Sequence, residues 1–221
     1  MPGKASIILS STYLGPIYYY SRFLLSYPVF IEKHENYLKQ SYRNRCIIYG
    51  ANGPLTLVVP VQRGSFHKTA IKKLEIDYDT NWQANHLRSI ISSYKSAPFF
   101  EFYIDDLIPY YQQKFRYLID YNTSLMKIFL DHLEIIQGFS FTKSFLKQYP
   151  SKLLDFREKI HPKKSFSDPF YKNLEYAQVF SPKHGFITNL SILDLLFNLG
   201  PETVEFIKRS INFPGINSVC L

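Results

Sequence analysis

The stretch SIILSSTYLGPIYYYSRFLLSYPVFIE, residues 6–32, decides the fold. Residues 6–11 form a short apolar run bounded by turn residues, the pattern of a buried strand. Leu14-Gly15-Pro16 turns the chain, and residues 17–26 read as an aromatic-rich helix. Tyr27-Pro28 ends that helix, because proline forces the residue before it out of the helical region. Val29-Phe30-Ile31 makes a second strand. Strand, turn, helix and strand compose a β-α-β unit, with parallel strands joined by a right-handed crossover. The expected fold is therefore α/β: a Rossmann-like, open, mostly parallel sheet flanked by helices, with a mainly helical C-terminal half.

Working outward, residues 46–49 and 55–61 are apolar and β-branched and flank Asn52-Gly53, a strong hairpin signal. Residues 71–76 alternate weakly and are expected to add a strand. Residues 82–95 carry Leu87, Ile90, Ile91 and Tyr94 on one helical face. Helices are expected over 104–114 and 117–133, then irregular chain to about residue 183. A buried helix follows over 191–199, and Gly200-Pro201 closes it and opens another over 202–211, since glycine suits a helix end and proline a first turn. This divides the chain into an α/β core with a basic loop, residues 1–100, and a mainly helical half, 101–221, packed on it as one domain.

The chain has 26 basic and 18 acidic residues, a net charge of +8, which favours anionic partners. The basic residues cluster at 39–45, 68–73 and 159–164 without forming a continuous tract. Nucleic acid is an unfavoured partner, because no recognition-helix or RNA-binding motif accompanies the charge. No run approaches 18 apolar residues and no leader-like segment opens the chain, so no membrane insertion and a cytoplasmic location are expected. The two cysteines, Cys46 and Cys220, and six scattered histidines give no metal-ligand spacing, so no metal is assigned. No motif names a cofactor, and self-association into a homo-oligomer is compatible with the sequence.

The stretch ENYLKQSYRNRCIIYGANGPLTLVVPV, residues 35–61, holds the principal site candidates. Asn36, Lys39, Arg43 and Arg45 follow the second strand, where open α/β sheets bind ligands, and arginine offers bidentate geometry to phosphate. Read the other way, the segment is a solvated turn braced by a Glu35–Lys39 pair four residues apart. Tyr13 and Gly15, at the first turn, are candidates for an anion seat at a helix N-terminus, against a simple tight turn. His86, beside the Leu87 stripe, is the first candidate for a general base, and His34 the second; a satisfied border histidine is the alternative. Glu32 is placed to orient substrate or base. Asn189, Asp194 and Asn198 put polar groups on an apolar helix, where they either meet a ligand or tie the helix down; Ser191 with Asp194 also fits a capping box. Cys46 begins an apparent strand and reads as core.

Tyr13-Leu14-Gly15-Pro16, the Tyr42-Arg43-Asn44-Arg45 core, residues 57–61, Trp82 with His86, Ala97-Pro98-Phe99-Phe100 with Tyr103, Gln178-Val179-Phe180 and residues 189–198 together resemble the WbqC-like family. Relatives tend to open the first motif with Gln-Pro and a Trp before its glycine, where this chain has Ser-Ser-Thr-Tyr-Leu-Gly. The resemblance implies a role in surface-polysaccharide (O-antigen-type) biosynthesis, with transfer of an acyl or aminoacyl group such as glycyl to a nucleotide-activated amino sugar. In that reading Lys39, Arg43 and Arg45 hold phosphate, His86 takes the proton from the attacking amine and Glu32 orients it. The alternative is a non-catalytic nucleotide-sugar or partner-binding protein of the same pathway, using exposed aromatics such as Tyr18-Tyr19-Tyr20 and Tyr110-Tyr111.

Overall fold

The structure, a computed structural model, describes residues 6–62, 69–150, 153–164, 168 and 171–212. Cys220 and Lys68 lie outside them. The expected β-α-β unit forms from β1 (Ser6–Ser10), α1 (Ile17–Ser21) and β2 (Val29–Glu32). β1 and β2 are parallel, with Ile7 opposite Val29 and Ser10 opposite Glu32. Two three-residue strands complete the sheet: β5 (Phe139–Phe141), parallel to β2, and β6 (Leu153–Asp155), parallel to β1. The sheet order is β5-β2-β1-β6. All four strands run the same way, so their carboxyl ends share one edge.

In chain order that sheet reads third, second, first, fourth. Progression reverses between β1 and β6, which is where an open α/β sheet leaves a crevice outside its strand ends. β5 and β6 fall in sequence expected to be irregular, because three residues are too few to show a period-two pattern. The helix expected over 17–26 is shorter: after α1 a 3-10 turn, Arg22–Leu24, leads into an extended Leu25 that packs in the core. The tyrosines expected to be exposed are not: Tyr18, Tyr19 and Tyr20 are buried, as is Tyr111. The Tyr19 hydroxyl donates to the Ser10 carbonyl at 2.9 Å, which lets a polar tip sit inside.

The hairpin forms as expected from β3 (Arg45–Gly50) and β4 (Gly53–Val58), with Gly53 at φ +104°. Residues 71–76 do not form the expected strand. Ile71–Lys73 is a 3-10 turn, and Glu75 and Ile76 make only isolated bridges. Four helices, α2 (Trp82–Tyr94), α3 (Phe100–Gln112), α4 (Leu118–His132) and α6 (Ile192–Leu199), contribute most of the remaining core. A single turn, α5 (Ser181–His184), precedes α6, and α7 (Thr203–Ser210) follows it.

Gly200 joins α6 to α7 at φ +53°, and a Cβ there would sit 2.4 Å from the Phe99 ring. The Phe99 amide donates to the Phe197 carbonyl at 3.0 Å, which holds the Phe99 backbone against α6, and a side chain at Gly200 would also strain the left-handed backbone there. Gly200→Ala is therefore expected to destabilise the fold by about 2 kcal/mol or more, read as a lowered denaturation midpoint at unchanged m-value.

Candidate functional site

At the carboxyl edge of the sheet the chain assembles a cluster of charged groups that burial would not tolerate singly. Glu32, the last residue of β2, is fully buried. One of its oxygens accepts from the Thr142 hydroxyl at 2.8 Å and the His34 amide at 2.7 Å, and the other accepts from the Tyr149 hydroxyl at 2.7 Å. Thr142 immediately follows β5, so Glu32 fastens the edge of the sheet. Beside it, Arg157 follows β6, and its Nη1 lies 3.8 Å from Glu32. Arg157 grips Asp155 with Nε at 3.0 Å and Nη2 at 2.6 Å, while its guanidinium covers the Tyr149 ring at 4.7 Å. Burial pushes the Asp155 carboxyl up, but these bonds outweigh it and hold it below its ordinary value.

Glu35 and Arg43 form the second half of the cluster, at 4 % and 2 % exposure. Arg43 Nε donates to Glu35 Oε1 at 2.8 Å and Nη2 to Oε2 at 2.6 Å, a bidentate pair. Nη2 also reaches Glu158 at 3.3 Å. Burial pulls the Arg43 guanidinium down, yet its carboxylate partners more than compensate and it stays charged; burial pushes Glu35 upward. The expected Glu35–Lys39 brace is thus replaced by Glu35–Arg43.

A cavity of about 400 Å³ opens over this cluster, lined by Glu35, Asn36, Tyr37 and Leu38 together with Phe145, Lys147, Arg157 and Glu158. Of the sequence candidates, Asn36 lines it directly. Arg43 stands behind Glu35, Glu32 beneath Arg157, and Lys39 is exposed on the same loop as Leu38. Arg45 opens β3.

His86 belongs to a different group. Its Nδ1 meets the Tyr13 hydroxyl at 2.9 Å, that hydroxyl meets Tyr111 at 2.8 Å, and Trp82 packs edge-on at 5.1 Å. Burial drops the His86 pKa to about 4, so the ring is neutral at pH 7 and already hydrogen-bonded. Glu32 and His86 share none of these partners.

The anion seat expected at Tyr13 and Gly15 is filled by the protein itself. The Ile17 amide donates to the Leu190 carbonyl at 3.0 Å and the Tyr18 amide to Asn189 Oδ1 at 3.0 Å, with Asn189 held at φ +53°. A Cβ on Gly15 would lie 2.6 Å from Thr12 Oγ1, so this glycine serves close packing. Asp194 is also internal: Oδ2 accepts from Tyr176 at 2.6 Å and Gln178 at 2.9 Å, and Asn198 donates to the Asp194 carbonyl at 2.7 Å. Ser191 caps α6 through the Leu193 amide, but the Asp194 side chain turns away from the reciprocal bond of a capping box. Cys46 is buried and its thiol is pushed up by burial, as a core residue should be.

Sequence reading missed Arg157, Glu158, Tyr149 and Lys147. The trace they leave is weak: a Leu-Leu-Asp-Phe-Arg run in which an acidic and a basic residue flank an aromatic just after two leucines.

Two outcomes follow. Arg43→Ala strands Glu35 in the interior and is expected to cost about 3–5 kcal/mol of unfolding free energy in chemical denaturation. Asp194 has its pKa raised by burial to about 6, so the folded state binds the proton more tightly than the unfolded one. Its contribution to stability is therefore greatest below pH 4 and falls as pH rises toward 6, by up to ~3 kcal/mol, and is constant above that. The pH profile of the stability difference between wild type and Asp194→Asn should carry that slope; a flat difference would remove Asp194 as its source.

The comparisons place the chain in a family without assigning chemistry. A protein from Mycobacterium tuberculosis (strain ATCC 25618 / H37Rv), "Uncharacterized protein Rv1507c", is 27% identical over 195 residues, covering 78% of this chain and 84% of that protein. No solved structure matches significantly. The model of the WbqC-like protein family matches residues 11–169, a span holding β1's outlet, β2, the hairpin, β5, β6 and every residue lining the cleft, and the chain belongs to that family.

Proposed function

We propose that the chain is a group transferase acting on a nucleotide-activated or phosphorylated amino sugar, bound in the cleft outside the carboxyl ends of β1, β2 and β6. The observation that carries this reading is a cavity lined by residues that follow β2, β5 and β6, on the carboxyl side of an all-parallel sheet whose strand order reverses beside β6, the side on which such folds take ligands. In it Lys147 faces phosphate, Asn36 holds a sugar hydroxyl, and Glu158, half exposed at the rim, accepts the proton released when the amine attacks, while Arg157 braces the wall from its pair with Asp155. Glu32 and His86 then act as positioning residues, Glu32 by fixing residues 142–149 and His86 by fixing Tyr13.

A second reading, a non-catalytic nucleotide-sugar binder, is favoured by one fact: both Glu35 oxygens and both Glu32 oxygens are already engaged by protein donors. Thermal-shift and mass-spectrometric assays separate the two. Nucleotide-linked amino sugar at 100 times its Kd should stabilise wild type by about 2.7 kcal/mol, and Lys147→Ala and Asn36→Ala should lose that shift without lowering the unliganded melting temperature. Addition of acyl donors should then yield an amino sugar heavier by the acyl group. Binding without any mass change supports the binder; no shift with any nucleotide sugar rejects both.

A further inference from the structure

The rim of the cleft has a second character that substrate binding does not use. Leu38, Phe145 and Leu146 are large apolar side chains exposed at 38 %, 47 % and 44 %. Leu38 and Phe145 both line the same cavity, and Leu146 follows Phe145 in the chain. Phe141, also exposed, ends β5 on the same edge and has the Lys33 ammonium 5.0 Å from its ring. The other exposed large apolar residues among those described, Leu55 and Val58 on β4, Phe102 on α3 and Ile136 before β5, stand elsewhere in the fold.

What distinguishes the rim is its alternation with positive charge. Residues 143–147 read Lys-Ser-Phe-Leu-Lys, and the facing loop carries Leu38-Lys39. A protein interface gathers its apolar residues into one core inside a polar rim, whereas here single apolar tips are interspersed with lysines along the chain, the arrangement suited to a lipid headgroup boundary. Aromatic and aliphatic tips enter the headgroup boundary while lysine stems extend to the phosphates. Each lysine near an anionic surface adds about 1 kcal/mol at physiological ionic strength, and the chain's net charge of +8 acts in the same direction.

We propose that this rim docks the protein peripherally on an anionic membrane surface, with residues 143–147 and 38–39 as the contact and the cleft opening toward the lipid. The docking does not depend on the transferase reading: its test measures vesicle binding, not ligand or turnover. It does say where a substrate of the cleft would be met, at the bilayer face.

The test is co-sedimentation of the full chain with vesicles of phosphatidylcholine containing 30 mol % phosphatidylglycerol, against pure phosphatidylcholine. Wild type should sediment with the anionic vesicles, at least tenfold more than with neutral ones, and lose binding as salt is raised. Leu146→Glu and Lys143→Glu, neither of which lines the cavity, should each reduce binding at least fivefold with melting temperatures unchanged. Phe102→Glu should bind as wild type. Equal sedimentation with neutral vesicles, no sedimentation, or full binding by Leu146→Glu would overturn the proposal. So would a concentration-dependent dimer that Leu146→Glu dissolves without any vesicle binding, since the rim would then be covered by a second copy.

Discussion

Four charged side chains, Glu32, Glu35, Arg43 and Arg157, are taken almost wholly out of water at one edge of the sheet. An isolated buried charge costs several kcal/mol, so each must meet its opposite with good geometry, and the backbone must deliver them. That requirement explains residues 33–44, which lack helix or strand of their own yet are not loose. The Tyr37 amide donates to Thr69, Ile71 to Glu35, Lys72 to Lys33 and Tyr13 to Tyr42, so the excursion is laced on both sides. The lacing brings Arg43 back over Glu35, while β6 brings Arg157 beneath Glu32. The cleft is the space these pairs leave.

The interior behind that edge is aromatic for a related reason. A tyrosine buries much apolar area but demands a partner for its hydroxyl, so a core rich in tyrosine specifies where neighbours must lie. Tyr13 finds His86 and Tyr111, Tyr49 donates to the Gly185 carbonyl, Tyr94 accepts from the Tyr49 amide, and Tyr176 reaches Asp194. These bonds join the first turn to α2 and α3, and the hairpin to the C-terminal segment. His86 and Asp194, which look like chemistry when read one residue at a time, are members of this internal set.

The parts legible in sequence are those encoded locally. Apolar runs with turn residues between them mark β1, α1 and β2; Asn52-Gly53 marks the hairpin; Gly200-Pro201 marks the junction of α6 and α7. What stayed hidden is encoded by distance. Glu35 and Arg43 are eight residues apart in a segment without periodicity, and Arg43 to Glu158 spans more than half the chain. No propensity or spacing rule connects such residues, and strands of three residues carry too little pattern to announce themselves. The basic loop does follow β2 at the carboxyl edge of the sheet, but sequence alone does not sort its charges into those facing outward and those neutralised inside.

That sorting changes which residues can carry function. Arg43 has two carboxylates against it and Glu32 three donors, so a ligand would have to displace protein partners to use them, at the cost of leaving a buried charge unpaired. Groups that meet solvent in the cleft, Asn36, Lys147 and Glu158, carry no such penalty. The span shared with the WbqC-like family, residues 11–169, contains both the neutralised pairs and the solvent-facing groups, while the Asp194 cluster lies beyond it. Within the shared span, then, the buried pairs brace the loops at the carboxyl edge of the sheet, and the side chains that meet solvent beside them are the ones a ligand can reach without unpairing a buried charge.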